Sequence, residues 1–307
     1  MRLVKVFRWL IGVLWILTAC APGAYPYVRL NTEGDNAVVA PERAPGRLPL
    51  RVAVAPVLSP RVTFETYSPL LDYLAHRLDR PVELLQRPTY AEINDLIRTG
   101  QADVGFVCGG AFVEGEREGY MELLVVPQIN GTTTYQALII VRADSSFHRL
   151  EDLRGRRFAF TDPLSNSGRL YVQYRLAQMG ETPEGFFRDT FFTYSHDNSI
   201  RAVAQGLADG ASVDSLVYES LSHSEPALIA NLRVIERSPP FGIPPVVVHP
   251  ELDPKLKEAL RQAFLEMPWD PRGQKALAVL GVERFVLPDP AAYEDIRRMA
   301  ARVRGWP

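Results

Sequence analysis

Residues 158–176 read FAFTDPLSNSGRLYVQYRL, and the fold turns on how this stretch is read. Phe158-Ala159-Phe160 has the character of a strand end, and Leu170 to Leu176 reads as a helix. Between them stand Ser165, Asn166, Ser167 and Gly168, at the mouth of that helix. The first N–H groups of a helix lack intrahelical partners, and the macrodipole adds about half a positive charge there. Two hydroxyls, an amide and the Gly168 backbone can together cradle an anion without any Lys or Arg. Ser and Asn are also favoured caps, so an ordinary N-cap is the competing reading.

The strand–turn–helix unit recurs on both sides of this stretch. Upstream, Leu50 to Val57 reads as a strand and Tyr67 to Arg77 as a helix. Val82 to Leu85 is a second strand, Tyr90 to Thr99 a helix stopped by Gly100, and Ala102 to Val107 a third strand running into Cys108-Gly109-Gly110. The pattern restarts with strands at Tyr135 to Val141, Arg157 to Thr161, Phe191 to Tyr194 and Ala211 to Val213. Helices follow from Ser167, Ser199 and Leu216; Pro244 to Val248 returns as a strand, and a helical tail begins at Pro254. This alternation predicts an α/β protein of βαβ units. Two similar halves predict two lobes around a cleft, each a mixed, mostly parallel sheet flanked by helices. The chain is expected to cross between them on two hinge strands, near 138–142 and 245–248. Lobe 1 is then 49–141 plus 246–307, and lobe 2 is 142–245.

The 307 residues carry a formal net charge of −2 and 47% hydrophobic residues. Near-neutral charge argues against nucleic acid, which needs a basic footprint. Arg2, Lys5 and Arg8 precede an apolar run from Trp9 to Leu17, the pattern of a secretory signal over residues 1–20. It ends in Leu17-Thr18-Ala19-Cys20, which resembles a bacterial lipobox and implies cleavage before Cys20 and a lipid anchor on that residue. Residues 21–48, with Pro22, Pro26, Pro41 and Pro45, read as a solvated tether. With Cys20 carrying lipid, Cys108 is the remaining cysteine, an unpaired thiol in an oxidising compartment.

Ligands in open α/β sheets bind outside the carboxyl ends of strands, and each remaining candidate lies at such an end. His196 can donate to an anion or be structural. Asp214 can accept a proton from a partly protonated oxyanion, and so reject unprotonated ones, or simply cap the next helix. Tyr90 can point its phenol into the cleft or cover a core edge. Gly109 and Gly110 permit close backbone approach, as they would in any turn. Catalytic and metal signatures are missing from the sequence: it has no HExxH, GxSxG or GxxxxGK[ST]. Glu114 and Glu116 read as a solvated helix face rather than a catalytic pair. The expectation is a binding protein, not an enzyme, with no cofactor and no metal.

LEDLRGRRFAFTDP (150–163) with Ser165-Asn166-Ser167-Gly168 resembles the phosphate/phosphite/phosphonate-binding periplasmic proteins of ABC transporters. Ser195-His196-Asp197, Ala208-Asp209-Gly210-Ala211, Ser238-Pro239-Pro240 and Asp253 to Leu260 extend the resemblance, which runs from about 50 to 298. It implies a type II, two-lobed fold that closes on a small oxyanion, with an ABC permease as partner and a monomeric protein at the membrane surface, facing the periplasm or cell exterior. Ligand contacts implied by it are Tyr90, the turn after Val107, Ser165 to Ser167, His196 and Asp214. The commoner family motif is Ser-x-Ser-Thr-Ser-Gly; here Asn166 replaces the threonine and Leu164 the small residue. The turn after the third strand holds Cys108 instead of a Gly-, Tyr- or Pro-type residue. In this it resembles a sub-branch of arsenite sensors that work with a histidine kinase. The alternative expectation is therefore a sensor gripping a thiophilic oxyanion through Cys108, helped by a helix start that lowers the thiol pKa. The bland reading of Cys108 is a small buried hydrophobe.

Overall fold

The computed structural model describes residues 48–303, 305 and 306; the signal, Cys20 and nearly all of the tether lie outside them. Two mixed sheets form the frame. In chain order the first elements are β1 (Leu50–Val54), α1 (Pro60–Arg77), β2 (Val82–Gln86), α2 (Tyr90–Arg98), β3 (Val104–Phe106), α3 (Gly109–Arg117) and β4 (Glu122–Gln128). The link β5 (Thr134–Tyr135) leads to β6 (Ala137–Arg142), β7 (Arg157–Phe160), α4 (Tyr171–Gln178), β8 (Asp189–Phe192), α5 (His196–Ala204), β9 (Gly210–Asp214), α6 (Ser215–Ser224) and β10 (Leu232–Arg237). The link β11 (Phe241–Gly242) returns the chain to β12 (Val246–Val248), α7 (Pro254–Glu266), α8 (Pro271–Leu280), β13 (Arg284–Val286) and α9 (Glu294–Arg302).

The first sheet has the order β13-β4-β12-β3-β1-β2, and the second β10-β6-β9-β7-β8. Strands β2, β1 and β3 run parallel, as do β8, β7 and β9, which are the βαβ units expected. The parallel share is smaller than expected, because β12, β4 and β13 add antiparallel pairings to one sheet, and β6 and β10 to the other. The crossings also move upstream. Strand β6 lies wholly inside the second sheet, paired with β9 and β10, so 138–142 is not a hinge. The two lobes are joined instead through the antiparallel pair β5–β11, with Tyr135 opposite Phe241. Pro244 and Pro245 carry no N–H for a ladder, which delays β12 until Val246.

Local chemistry explains where the helices start. Thr89 and Glu92 form a reciprocal capping box at α2. Ser165, Ser195 and Asp214 each accept a backbone N–H from the turn they open. The helix expected from Ser167 begins as a π-helical turn, Asn166–Leu170, before α4. Such single-turn π segments are frequent at functional sites.

Each sheet has an apolar cluster of its own. Leu50, Val52, Tyr73 and Phe264 belong to the first, and Ile140, Ile200 and Val213 to the second. A third cluster spans both lobes, joining Tyr90, Cys108 and Phe112 to Tyr135, Phe158 and Ile296. The lobes are thus in direct contact through this cluster. Helix α9 lies against α3 of lobe 1 and against α4 and the π turn of lobe 2, so the C-terminal segment spans the closed cleft.

Candidate functional site

Five helix starts converge where the lobes meet. Tyr90 opens α2 and Cys108 caps α3 from lobe 1; Ser165, Ser195 and Asp214 cap the π turn, α5 and α6 from lobe 2. Their dipoles aim positive ends at this cluster without a basic side chain among the capping residues, while the N–H groups of Tyr90, Asn166, His196 and Gly168 already have partners. Three hydrogen bonds tie the lobes here. Asn166 N–H donates to Cys108 Sγ at 3.4 Å, Tyr90 N–H to Asp162 Oδ2 at 3.1 Å, and His196 N–H to Val57 O at 3.0 Å.

Three polar side-chain atoms in this cluster are buried without a partner: Tyr90 Oη, Asn166 Oδ1 and Ser167 Oγ. Native interiors leave few such groups, and each needs a cause. Asn166 Nδ2 donates to the Tyr135 hydroxyl at 3.0 Å. That hydroxyl is both donor and acceptor, so it serves either orientation of the amide. Ser167 Oγ lies beside the same hydroxyl, close enough to lower its pKa slightly but outside good hydrogen-bond geometry. Burial pushes the Tyr90 and Tyr135 phenols far above their usual range, so both remain protonated donors.

His196 is fully enclosed, and burial lowers its pKa to about 3. Its Nδ1 accepts the Asp214 N–H at 3.1 Å, which leaves the neutral ring's proton on Nε2. Asp214 accepts the Leu216 N–H at 2.7 Å, so the capping role is real. Burial nevertheless raises its pKa to about 7. A carboxyl poised there can accept a ligand's proton or carry one.

The remaining candidates sort differently. The Gly110 backbone N–H and that of Asn166 point at the Cys108 sulfur, and the Ser165 hydroxyl lies against it. Burial outweighs them and raises the thiol pKa, which corrects the expectation that a helix start would lower it. Gly110 is the tightest approach between lobes: a Cβ there would sit 2.4 Å from Leu164 O. At Gly109 and Gly168 close packing by itself accounts for the missing Cβ. A Cβ on Gly109 would meet Ile296 at 2.7 Å, and one on Gly168 would meet Thr161 at 2.5 Å. The Gly168 N–H is already taken by Ser165 Oγ at 2.9 Å, and the same bond makes Ser165 a cap. Glu114 and Glu116 are not a solvated face; they pair with Arg117 and Arg297. Tyr135, Thr161 and Asp162 were not singled out from sequence. Tyr135 read only as a strand start, and Thr161 Oγ1, 3.2 Å from His196 Nδ1, is recognisable only once distant strands pair.

Among the described residues no group of His, Cys, Asp and Glu is arranged to hold a metal, and no helix is long and apolar enough to cross a membrane. A separate cleft of about 480 Å³ runs beside this closed cluster between α1 and α6, with Asp214 in its wall. The polar cluster, unlike that cleft, holds the converging helix starts and the unpartnered Tyr90 and Ser167 hydroxyls.

Two mixed α/β lobes closing on such a cluster define a type II periplasmic binding protein. The chain belongs to the family of ABC-transporter phosphonate periplasmic substrate-binding proteins, whose model matches residues 52–293. It is 26% identical over 212 residues to the phosphate-import protein PhnD of Mycolicibacterium smegmatis, a match spanning just under two thirds of each chain (66% of both). The fold is shared with a binding-protein component of an ABC phosphonate transporter from Pseudomonas aeruginosa, at TM-score 0.78 and 24% identity, covering 84% of this chain and 90% of that one. It is shared also with PhnD1 of Prochlorococcus marinus, solved in complex with methylphosphonate, at TM-score 0.75 and 20% identity, covering 82% and 97%.

Proposed function

We propose that this protein captures a small phosphorus oxyanion outside the cytoplasm and delivers it to an ABC permease. The observation that carries this reading is the set of unpartnered buried atoms on Tyr90, Asn166 and Ser167 where five helix starts meet. A tetrahedral oxyanion presents acceptors on every side, so it can satisfy the Tyr90 and Ser167 hydroxyls and the His196 Nε2–H together. With its pKa near 7, Asp214 in its charged form favours an anion that still carries a proton, such as hydrogen phosphate, over sulfate. The ligand sites are proposed as Tyr90, Asn166, Ser167, His196 through Nε2–H, and Asp214, with Cys108 and Gly110 closing the lid. Relatives that import phosphate or hold methylphosphonate support this class of ligand. The lipobox-like Leu17-Thr18-Ala19-Cys20 supports anchoring through Cys20, with residues 21–48 as tether.

A thermal-shift panel tests the reading. A ligand at 100 times its Kd adds about 2.7 kcal/mol to the native state. Phosphate, phosphite or methylphosphonate should raise Tm while sulfate at equal ionic strength should not. Equal shifts from sulfate would refute selection by Asp214. The rival sensor reading rests on the position of the Cys108 sulfur in the same cluster. Its raised pKa works against thiolate chemistry, so the transporter reading stands first.

A further inference from the structure

The C-terminal segment touches the hinge and both lobes. Just before α9, Tyr293 donates its hydroxyl to Ile243 O at 2.7 Å, one residue past β11. Ile296 and Met299 of α9, with Val303 just after it, are buried at helical spacing. Ile296 stands where a side chain on Gly109 would be, and Arg297 grips Glu116 of α3 at 2.7 and 2.9 Å. These contacts anchor the segment to the hinge and to lobe 1. Its far end lies at the seam between the lobes. A Cβ on Gly110 would meet both Leu164 O of lobe 2 and, at 3.2 Å, the ring of Trp306. Arg169, in the π turn of lobe 2, stands over that ring, 5.9 Å from its centroid, and is steadied by a 2.9 Å bond to Pro163 O. Trp306 Nε1 is buried without a hydrogen-bond partner, so the indole is held by its ring and not by its polar atom. A guanidinium over an indole shifts an equilibrium about two- to thirtyfold, more as water is excluded.

We propose that α9 and Trp306 form a strap that holds the lobes closed, anchored on lobe 1 and the hinge and gripping the π turn of lobe 2 through Arg169. The grip involves protein groups alone, so it biases the lobes toward closure whatever the cleft binds. The π turn also carries Asn166 and Ser167, so the strap steadies the segment that presents them.

Cys108 supplies the readout. Its sulfur is buried at the same seam, under the Asn166 N–H, and a thiol reagent reaches it when the lobes part. The full chain carrying Cys20→Ser keeps Cys108 as its one thiol. In that background Trp306→Ala, Arg169→Gln and Trp306→Phe are compared with the parent, without ligand, by the rate of Cys108 modification, small-angle X-ray scattering and thermal unfolding. Trp306→Ala and Arg169→Gln should react about tenfold faster, with a larger radius of gyration and a Tm within a few degrees of the parent. Trp306→Phe keeps a ring under Arg169 and should stay within about twofold of the parent rate. Parent-like rates and radii in the first two variants would overturn the strap. So would faster reaction at an unchanged radius, which is local exposure of the sulfur, or with a large loss of Tm, which is unfolding. A Phe variant as open as the Ala variant would overturn the grip through Arg169. None of these readouts uses a ligand, so the oxyanion reading stands or falls separately.

Discussion

Gly110→Ala separates closure from folding. The added methyl would stand 2.4 Å from Leu164 O and 3.0 Å from Asn166 N, both on the opposite lobe. The first distance is too short for any real contact, and backbone cannot swing aside as a flexible side chain would. The molecule can relieve the overlap by opening slightly, because the clash is between lobes and not within one. Opening breaks the adjacent bonds from Asn166 N–H to Cys108 and from Tyr90 N–H to Asp162. At about 1 kcal/mol each, their loss weakens ligand binding by ~2 kcal/mol, about thirtyfold. Calorimetry with the tightest oxyanion measures the affinity, and thermal unfolding without ligand measures the fold. We expect the affinity to fall about thirtyfold and Tm to stay within a few degrees, since each lobe keeps its own sheet and core. An unchanged affinity, or a large drop in Tm with affinity preserved, would show that Gly110 is ordinary packing.

Three further expectations follow from the same geometry. Tyr90→Phe removes a hydroxyl that has no partner in the protein, so stability should hold or rise while oxyanion affinity falls roughly tenfold or more, the cost of a hydrogen bond to a charged group. An unfolded aspartate titrates near 3.9, whereas Asp214 is raised to about 7, so the native state binds the proton more tightly and stability falls as pH rises from about 4 to 7. His196 runs the other way: lowered to about 3 from an unfolded value near 6.5, it makes stability fall as pH drops from about 6.5 to 3. Denaturant melts across pH 3–8 should show Asp214→Asn losing the first slope and His196→Gln the second; unchanged slopes would mean that neither group titrates as its burial requires. Cys108, buried with a raised pKa, should react slowly with a thiol reagent at pH 7 and more slowly still with ligand bound, as the reaction rate in each state will show.

Much of the site was legible because it rests on local chemistry. Ser165 and Asp214 are capping residues placed just after apolar strands, and that pattern is visible over a few residues; the helix expected from Ser199 begins instead at His196, with Ser195 as its cap. What the sequence hid is non-local. The antiparallel pairing of β4, β10 and β13 depends on partners dozens of residues away or more. What crowds each glycine is distant in sequence for Gly109, which packs against Ile296, and lies across the turn for Gly168, which packs against Thr161. Tyr135 belongs to the hinge pair and reaches Asn166 only because the lobes close there. The apolar run of β6 looked like a crossing strand, since periodicity alone does not say which sheet a strand joins.

The most direct test is a calorimetric titration of wild type and Ser167→Ala with phosphate, phosphite and methylphosphonate. Ser167 Oγ is buried beside the Tyr135 hydroxyl without a well-formed hydrogen bond, which leaves it available to a ligand. Tight binding of at least one of these anions to wild type, weakened tenfold or more in the variant at equal stability, is the expected result. Binding that ignores Ser167, or no binding of any phosphorus oxyanion, would contradict the assignment of this cluster as the anion site.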